Sequence, residues 1–456
     1  MEVKFAWLKN MGLGKKIMAA SLLTMIGFIS NQIIRFAGNL ILTRLLVPEF
    51  FGIMGIVTIF LMGVTMFSDL GIRQSVIRSV RGDDLDYLNT AWVIQCLRGL
   101  ILTVVLLAVS LLVFLLQSNG YLSHDTVYGD PLLPKVLAVV AFIPSIIGME
   151  STYLFLANRR LEQGKIVKIE VVSRLAGLIV MIVSAWKTGS IWSIVAGSIL
   201  SASCKTFLSH WMFRPNRVRF RWNRLYANEL LDYGKWIILA SISGFLLTQG
   251  DRLLLGGMIS PKMLGIYSIA YFLANSVQLA VRSLLQTVFF PVLSDVARSE
   301  INSVGELYYN IRKKTDLIVM FFSGVIYVLG TSIVSALYDV RYHEAGWILE
   351  VLALSTLGIA SVVADQVFLA VGKSKWMSYA SLAQMIFMYI AIPISFYNFG
   401  FNVAVYVIAL SFLPKYIVTL IFLNKLDILS LIKEFRFVPT FGIGVFLGYI
   451  IESVIS

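Results

Sequence analysis

The sequence predicts an all-α polytopic membrane protein built from two parallel-repeat six-helix bundles, about twelve to thirteen transmembrane helices in all. Three observations predict it. The 456 residues are 58% hydrophobic and only 14% charged, whereas a soluble domain carries about 25% charged residues. Apolar stretches approaching the roughly 20 residues that cross a bilayer recur from end to end. A Pro–Gly hinge, "LTRLLVPEFFGIMGI" at 42–56, returns as "LGGMISPKMLGIYSI" at 255–269.

The elements follow in order. An N-terminal arm (1–16) precedes spans at 17–42, 50–68, 91–116, 132–156, 166–186 and 192–213, the N-terminal bundle of 17–213. A basic linker, 214–235, leads to spans at 236–258, 264–292, 317–337, 345–371, 378–396 and 402–423, the C-terminal bundle of 236–423. The C-terminal segment, 424–456, holds one more apolar run at 437–455, with Pro439 and Glu452 inside it. It reads as an extra helix, and whether it crosses the membrane is open from sequence. The runs are continuous, without the alternation of lipid-facing barrel strands. The first run is too long for a cleaved signal peptide and reads as a retained span. Cys96 and Cys204 fall inside spans and read as small apolar residues rather than a disulfide. His124, His210 and His343 have no ligand spacing, so neither a metal site nor a cofactor is expected.

Charge sets the orientation. The formal net charge is +13, but the basic residues gather on alternate loops. Arg73, Arg78 and Arg81 follow the second span. Arg159, Arg160, Lys165 and Lys168 follow the fourth, and Arg214 through Lys235 follow the sixth. The opposite loops hold few, among them Arg44, Lys135 and Lys187. The positive-inside rule places the N-terminus and the linker in the cytoplasm. The basic excess is therefore a topology signal, and no nucleic-acid partner is expected.

The repeat is parallel. Pro48 to Pro261 and Gly52 to Gly265 share one offset, and six spans separate the copies. Such an arrangement occurs in transporters whose halves are related by an axis along the membrane normal. Near mid-membrane, Ser201 and Lys205 in the sixth span match Ser411 and Lys415 in the twelfth at nearly the same offset. This match predicts that the two lysines face one another.

Ionisable groups inside spans are costly and usually face a cavity or a partner. The basic ones are Arg35, Arg98, Arg174, Lys205, Arg282 and Lys415. Asn31, Arg35 and Asn39 step along one face of the first span. Asn275, Gln278, Arg282 and Gln286 do the same in the eighth. Two such stripes predict a shared polar cavity lined by unpaired cations, suited to an anion, with arginine's planar fork suited to phosphate. For Arg174 an ion pair with Glu170 one turn away is the alternative. Arg98 has the alternative of snorkelling to the surface. Glu150, Asp251 and Asp365 are the carboxylates available for coupling to protons or sodium, although Asp251 adjoins Arg252 and a local pair would explain it.

"LVPEFFGI" after the first span, "DLGI" at 69–72, "QGDRLLLGGMIS" at 249–260, "LGIYSIAY" at 264–271 and "FFPVLS" at 289–294, in this order across a six-plus-six repeat, resemble the polysaccharide transporters (Wzx-type flippases) of the MOP flippase superfamily. The resemblance implies a V-shaped, MOP-type pair of bundles working by alternating access. It implies a cargo of undecaprenyl-pyrophosphate-linked oligosaccharide, moved across a bacterial inner membrane for O-antigen, capsule or exopolysaccharide synthesis. The implied partners are this lipid-linked oligosaccharide, membrane lipids, and a polysaccharide polymerase with its chain-length regulator. The same architecture leaves a MATE-like ion-coupled antiporter as the alternative. The rival of another class is a membrane glycosyltransferase or polymerase, for which Asp83, Asp84 and Asp86 form a DxD-like string. The string sits just before a helix, where Asp favours the N-terminal dipole, and "GLGKK" at 12–16 lacks P-loop spacing, so no enzymatic activity is expected.

The orientation has a direct test. Arg219→Cys is expected to resist a membrane-impermeant thiol reagent in intact cells and to react after permeabilisation. Strong labelling from outside would overturn the topology.

Overall fold

The computed structural model describes residues 13–213, 218–285, 289–300 and 303–455, and among them it contains helices and no strand. The N-terminal arm up to residue 12, Arg214 and Arg217 of the linker, and Gln286 of the eighth-span stripe lie outside the described residues. In chain order the first half forms α1 (Leu13–Leu45), α2 (Pro48–Phe67), α3 (Ile72–Arg78), α4 (Leu85–Ser118), α5 (Leu132–Val140), α6 (Ile143–Gly148), α7 (Tyr153–Arg159), α8 (Gln163–Thr188) and α9 (Trp192–Trp211). The second half forms α10 (Arg224–Gly256), α11 (Pro261–Leu284), α12 (Phe290–Ser299), α13 (Val304–Leu337), α14 (Ala345–Ala353), α15 (Ile359–Ala370), α16 (Ser374–Phe399), α17 (Phe401–Leu410), α18 (Leu413–Asn424), α19 (Leu431–Glu434) and α20 (Phe437–Ile455).

Each expected span coincides with a helix or with a broken pair of helices. Among the described residues eight helices are long and apolar enough to cross a membrane, and a bent pair would make a ninth. The protein is thus a multi-pass, all-α membrane protein. The other expected spans, α8 to α11, carry polar faces: Lys168, Glu170 and Arg174 on α8, Lys205 on α9, Asp251 and Arg252 on α10, and Asn275 and Arg282 on α11.

The hinges show why Pro and Gly recur. Pro48 and Pro261 are the first residues of α2 and α11, where a missing N–H costs nothing because that group has no helical partner. Gly52 and Gly265 then allow close packing. A Cβ on Gly52 would run into the Pro261 carbonyl and lie 3.1 Å from the Gly265 nitrogen. "DLGI" is a turn: the Asp69 carboxylate accepts from the Gly71 N–H at 3.0 Å, and Gly71 has φ +59°, a left-handed value that glycine adopts without strain.

The chain divides into two compact units. One comprises 1–50, 56–124 and 128–245; the other comprises 51–55, 125–127 and 246–456. The first unit packs its helices closely through glycine. A Cβ on Gly27 or Gly38 of α1 would collide with Val167 or Leu178 of α8, and one on Gly99 of α4 would meet the Pro144 carbonyl of α6.

In the second unit the C-terminal segment is bound in two ways. On α20, Gly444 and Gly448 are four residues apart, in a small-xxx-small pattern. A Cβ on Gly444 would strike the Phe321 carbonyl of α13, and one on Gly324 of α13 would strike the Phe441 carbonyl of α20. Below this contact a charged cluster is sealed from solvent. Arg312 is 1% exposed, and its Nη1 donates to Glu434 Oε2 at 2.7 Å while its Nε donates to Asp316 at 3.0 Å. Tyr308 and Tyr309 donate to Glu434 Oε1 at 3.0 and 3.1 Å, and Tyr416 donates to its Oε2 at 2.9 Å. Sequence alone assigns Arg312 to a cytoplasmic basic loop, whereas the structure buries it as the anchor of α19 and α20.

Removing one partner of a buried pair costs about 3–5 kcal/mol because the other charge is left stranded. Glu434→Ala is therefore expected to lower the unfolding midpoint of the detergent-solubilised protein and to expose the segment between α18 and α20 to protease. An unchanged midpoint and cleavage pattern would show that the cluster does not anchor the segment.

Candidate functional site

The fourth span of the first unit is broken. α5 and α6 end at Gly148, and α7 resumes at Tyr153 with a bend of 58°. A break strands backbone carbonyls, and in hydrocarbon each needs a donor. The protein supplies them from side chains. From α4, Gln95 Nε2 reaches the carbonyls of Ile147, Gly148 and Glu150 at 3.1–3.2 Å, and Trp92 Nε1 donates to the Met149 carbonyl at 3.2 Å. From α9, Thr206 donates to the Ile146 carbonyl at 2.8 Å, and Ser209 Oγ accepts from the Ser151 N–H at 2.9 Å. His210 Nε2 lies 2.8 Å from the Met149 carbonyl. The break itself holds Glu150, whose carboxylate lies 3.0 Å from Lys205 Nζ on α9.

The second unit repeats the arrangement with different details. Between α14 and α15 the chain tightens into a 3-10 turn at Leu354–Gly358. Ser323 and Thr356 donate to the Ala353 carbonyl, each at 2.7 Å. On α15, Asp365 Oδ2 accepts from Lys415 Nζ of α18 at 2.7 Å. In both units a carboxylate on the fourth span pairs with a lysine on the sixth. The expectation that Lys205 and Lys415 are unpaired cavity cations is therefore corrected: each has a carboxylate partner in its own unit, because an ammonium in hydrocarbon is too costly without one. Glu150 and Asp365 are likewise committed to ion pairs.

The other cations differ. Arg98 donates from Nε to Ser68 Oγ at 3.0 Å and from Nη2 to the Thr65 carbonyl at 2.6 Å. It caps the C-terminal turn of α2, where a cation offsets the dipole and the unpaired carbonyls. Arg174 is exposed and directs Nη1 toward the Asn31 carbonyl at 3.5 Å. It makes no ion pair with Glu170 among the described residues, so the internal pair offered as its alternative does not form. This contact brings α8 to the α1 stripe, where Asn31 Oδ1 is buried without a partner. Arg35, on the same helix, is exposed and Asn39 half-buried.

In the second unit, Asp251 accepts from Tyr267 Oη at 2.7 Å, and it does not pair with its neighbour. Arg252 instead lies 4.2 Å from the Tyr271 ring centroid and donates to Gln249. Asn275 approaches Tyr271 Oη at 3.5 Å, and Gln278 donates to Ser355 Oγ of the 3-10 turn at 3.1 Å. Arg282 is exposed, and its charge acts on Asp365 of α15 and on Tyr271 of α11.

Two groups escape the sequence reading. Gln95 resembles any isolated polar residue in an apolar run, and only the break opposite reveals its task. Glu350 lies within the span expected at 345–371, where its Oε1 accepts from the Thr331 N–H at 2.8 Å and hydroxyl at 2.7 Å. The DxD-like string is occupied. Asp83 pairs with Arg160 at 2.6 Å and Arg159 at 3.2 Å, Asp84 accepts from Tyr226 at 2.8 Å, and Asp86 pairs with Arg221 at 3.2 Å.

Comparison with known proteins sets this geometry in context. The teichuronic acid biosynthesis protein TuaB of Bacillus subtilis (strain 168) is 22% identical over 316 residues, 67% of this chain and 61% of its own length. The lipopolysaccharide biosynthesis protein WzxC of Escherichia coli (strain K12) is 24% identical over 261 residues, 56% of this chain and 50% of its own length. The matched regions thus span half to three-fifths of these relatives. Among solved structures, the lipid II flippase MurJ in an inward closed conformation has a TM-score of 0.67 at 13% identity, covering 96% of this chain and 98% of that one. An inward-facing multidrug resistance MATE family transporter of the MOP superfamily has a TM-score of 0.66 at 13% identity, covering 87% and 94%. At such identities the likeness is one of fold, and the fold is that of the MOP transporters. A family model described as polysaccharide biosynthesis protein matches residues 41–347, a stretch that takes in both hinge copies, and the chain belongs to the polysaccharide biosynthesis protein family.

Proposed function

We propose that this protein is a flippase. Its cargo is an undecaprenyl-pyrophosphate-linked oligosaccharide, carried by alternating access across a bacterial inner membrane to supply O-antigen, capsule or exopolysaccharide synthesis. The N-terminus lies in the cytoplasm. The observation that carries the reading is Arg282: an exposed guanidinium on a polar helical stripe, whose nearby carboxylate Asp365 is already paired with Lys415. A cation at that depth costs about 2.5–3.5 kcal/mol on insertion scales, so a functional anion is the economical explanation. Arg35 lies on a polar stripe of α1 in the first unit, and Arg174 joins that stripe through Asn31. Asn39, Asn275 and Gln278 supply polar lining. Glu150, Asp251 and Asp365 are the intramembrane carboxylates from which a residue coupling transport to a proton or sodium gradient would be drawn. Family membership supports a polysaccharide pathway, with a polymerase and chain-length regulator as downstream partners. A multidrug antiporter shares the fold, but a surplus of cations disfavours organic cation cargo. A glycosyltransferase is disfavoured because Asp83, Asp84 and Asp86 are tied to basic and phenolic side chains.

Arg35→Ala and Arg282→Ala are each expected to cut export more than tenfold at matched membrane protein levels, since losing one side of a buried charge-assisted contact costs about 2–5 kcal/mol. Lysine is expected to rescue only partly, because it keeps the charge without the bidentate fork. Normal polysaccharide export in both alanine variants would refute the proposal.

A further inference from the structure

The two carboxylate–lysine pairs occupy matched places in the repeat, yet they are not equally enclosed. The Asp365 and Lys415 side chains are each 11% exposed. In the other pair Glu150 is 8% exposed, but Lys205 is 34% exposed. Lys205 is thus the more open of the two lysines, and its partner Glu150 is buried.

The groups around Glu150 make the consequence specific. Lys205 is the one cation within ion-pair distance of it among the described residues. Glu170 of α8 acts on it as a second negative charge. From α4, Gln95 and Cys96 spend their donors on backbone carbonyls of the break, and so does His210 of α9 if its Nε2 carries the proton. None of them replaces the ammonium. A carboxylate deprived of its counter-charge in a low-dielectric site neutralises by taking up a proton.

We propose that Lys205 and Glu150 form a proton-coupled anion switch. When a phosphate oxygen of the substrate pairs with the Lys205 ammonium, Glu150 loses its partner and takes one proton from water. When the anion leaves, Glu150 gives up the proton and the pair re-forms. The ammonium stays protonated throughout, so each cycle binds and releases one proton. Substrate occupancy of the first unit is thereby linked to protonation at the helix break, whose geometry Gln95, Thr206 and Ser209 hold. Asp365 and Lys415, both enclosed, keep their pair. The inference rests on the anionic cargo proposed above and adds the coupling ion and the residue that carries it.

The test uses the full-length purified protein in weakly buffered detergent at neutral pH, with farnesyl pyrophosphate as probe. Binding and proton uptake are measured together. Wild type is expected to take up about one proton more per bound probe than Glu150→Gln. Its affinity is expected to weaken with rising pH more steeply than that of the variant. Glu150→Asp, which keeps the carboxylate, is expected to behave as wild type, which separates the switch from a merely structural role. Probe binding with equal proton uptake in wild type and Glu150→Gln would overturn the switch and leave the flippase reading standing. Failure of wild type to bind the probe at all would overturn the anion reading, and the switch with it.

Discussion

Nothing polar can be left alone in hydrocarbon, and the architecture follows from how that demand is met where helices break. A continuous helix satisfies its own backbone. The fourth span of the first unit does not, because it bends between Gly148 and Tyr153. Its carbonyls are served by Gln95 and Trp92 of α4 and by Thr206 and His210 of α9. These bonds fix α4, α6 and α9 against one another more specifically than apolar packing would. Gly99 and Gly148 let the backbones come close enough for the bonds to form: a Cβ on Gly148 would lie 2.9 Å from the Gln95 carbonyl.

The same demand sorts the intramembrane charges. Lys205 and Lys415 are neutralised by Glu150 and Asp365, Arg98 caps α2, and Arg312 is enclosed by Asp316, Glu434 and tyrosine hydroxyls. These charges hold helices in place. Arg35, Arg174 and Arg282 are exposed.

The repeat reaches into this chemistry. Each unit has a proline-started second helix, a disrupted fourth span and an acid–lysine pair from the fourth span to the sixth. The units differ in how the disruption is made, by a sharp bend in one and a 3-10 turn in the other, and in how far the lysine is open to solvent. A duplicated plan with unequal exposure gives two similar sites the capacity for different work.

Sequence alone determined the membrane class, the all-α character and the excess of cations, because these rest on composition, periodicity and loop charge; of the twelve to thirteen spans expected, eight to nine helices among the described residues are long and apolar enough to cross a membrane. Pro48, Gly52 and their counterparts were legible for the same reason: the signal is local. Partners were not. Glu150 and Lys205 are far apart along the chain, as are Asp365 and Lys415, and no local pattern states that they meet. Asp251 next to Arg252 suggested a pair, but the side chains turn to Tyr267 and to Tyr271 instead. Arg312 looked like one more basic loop residue until Glu434 closed over it. Tertiary structure decided these cases, since the energy of a buried charge depends on which long-range neighbour reaches it and on how much solvent remains, and neither is a property of the residue itself.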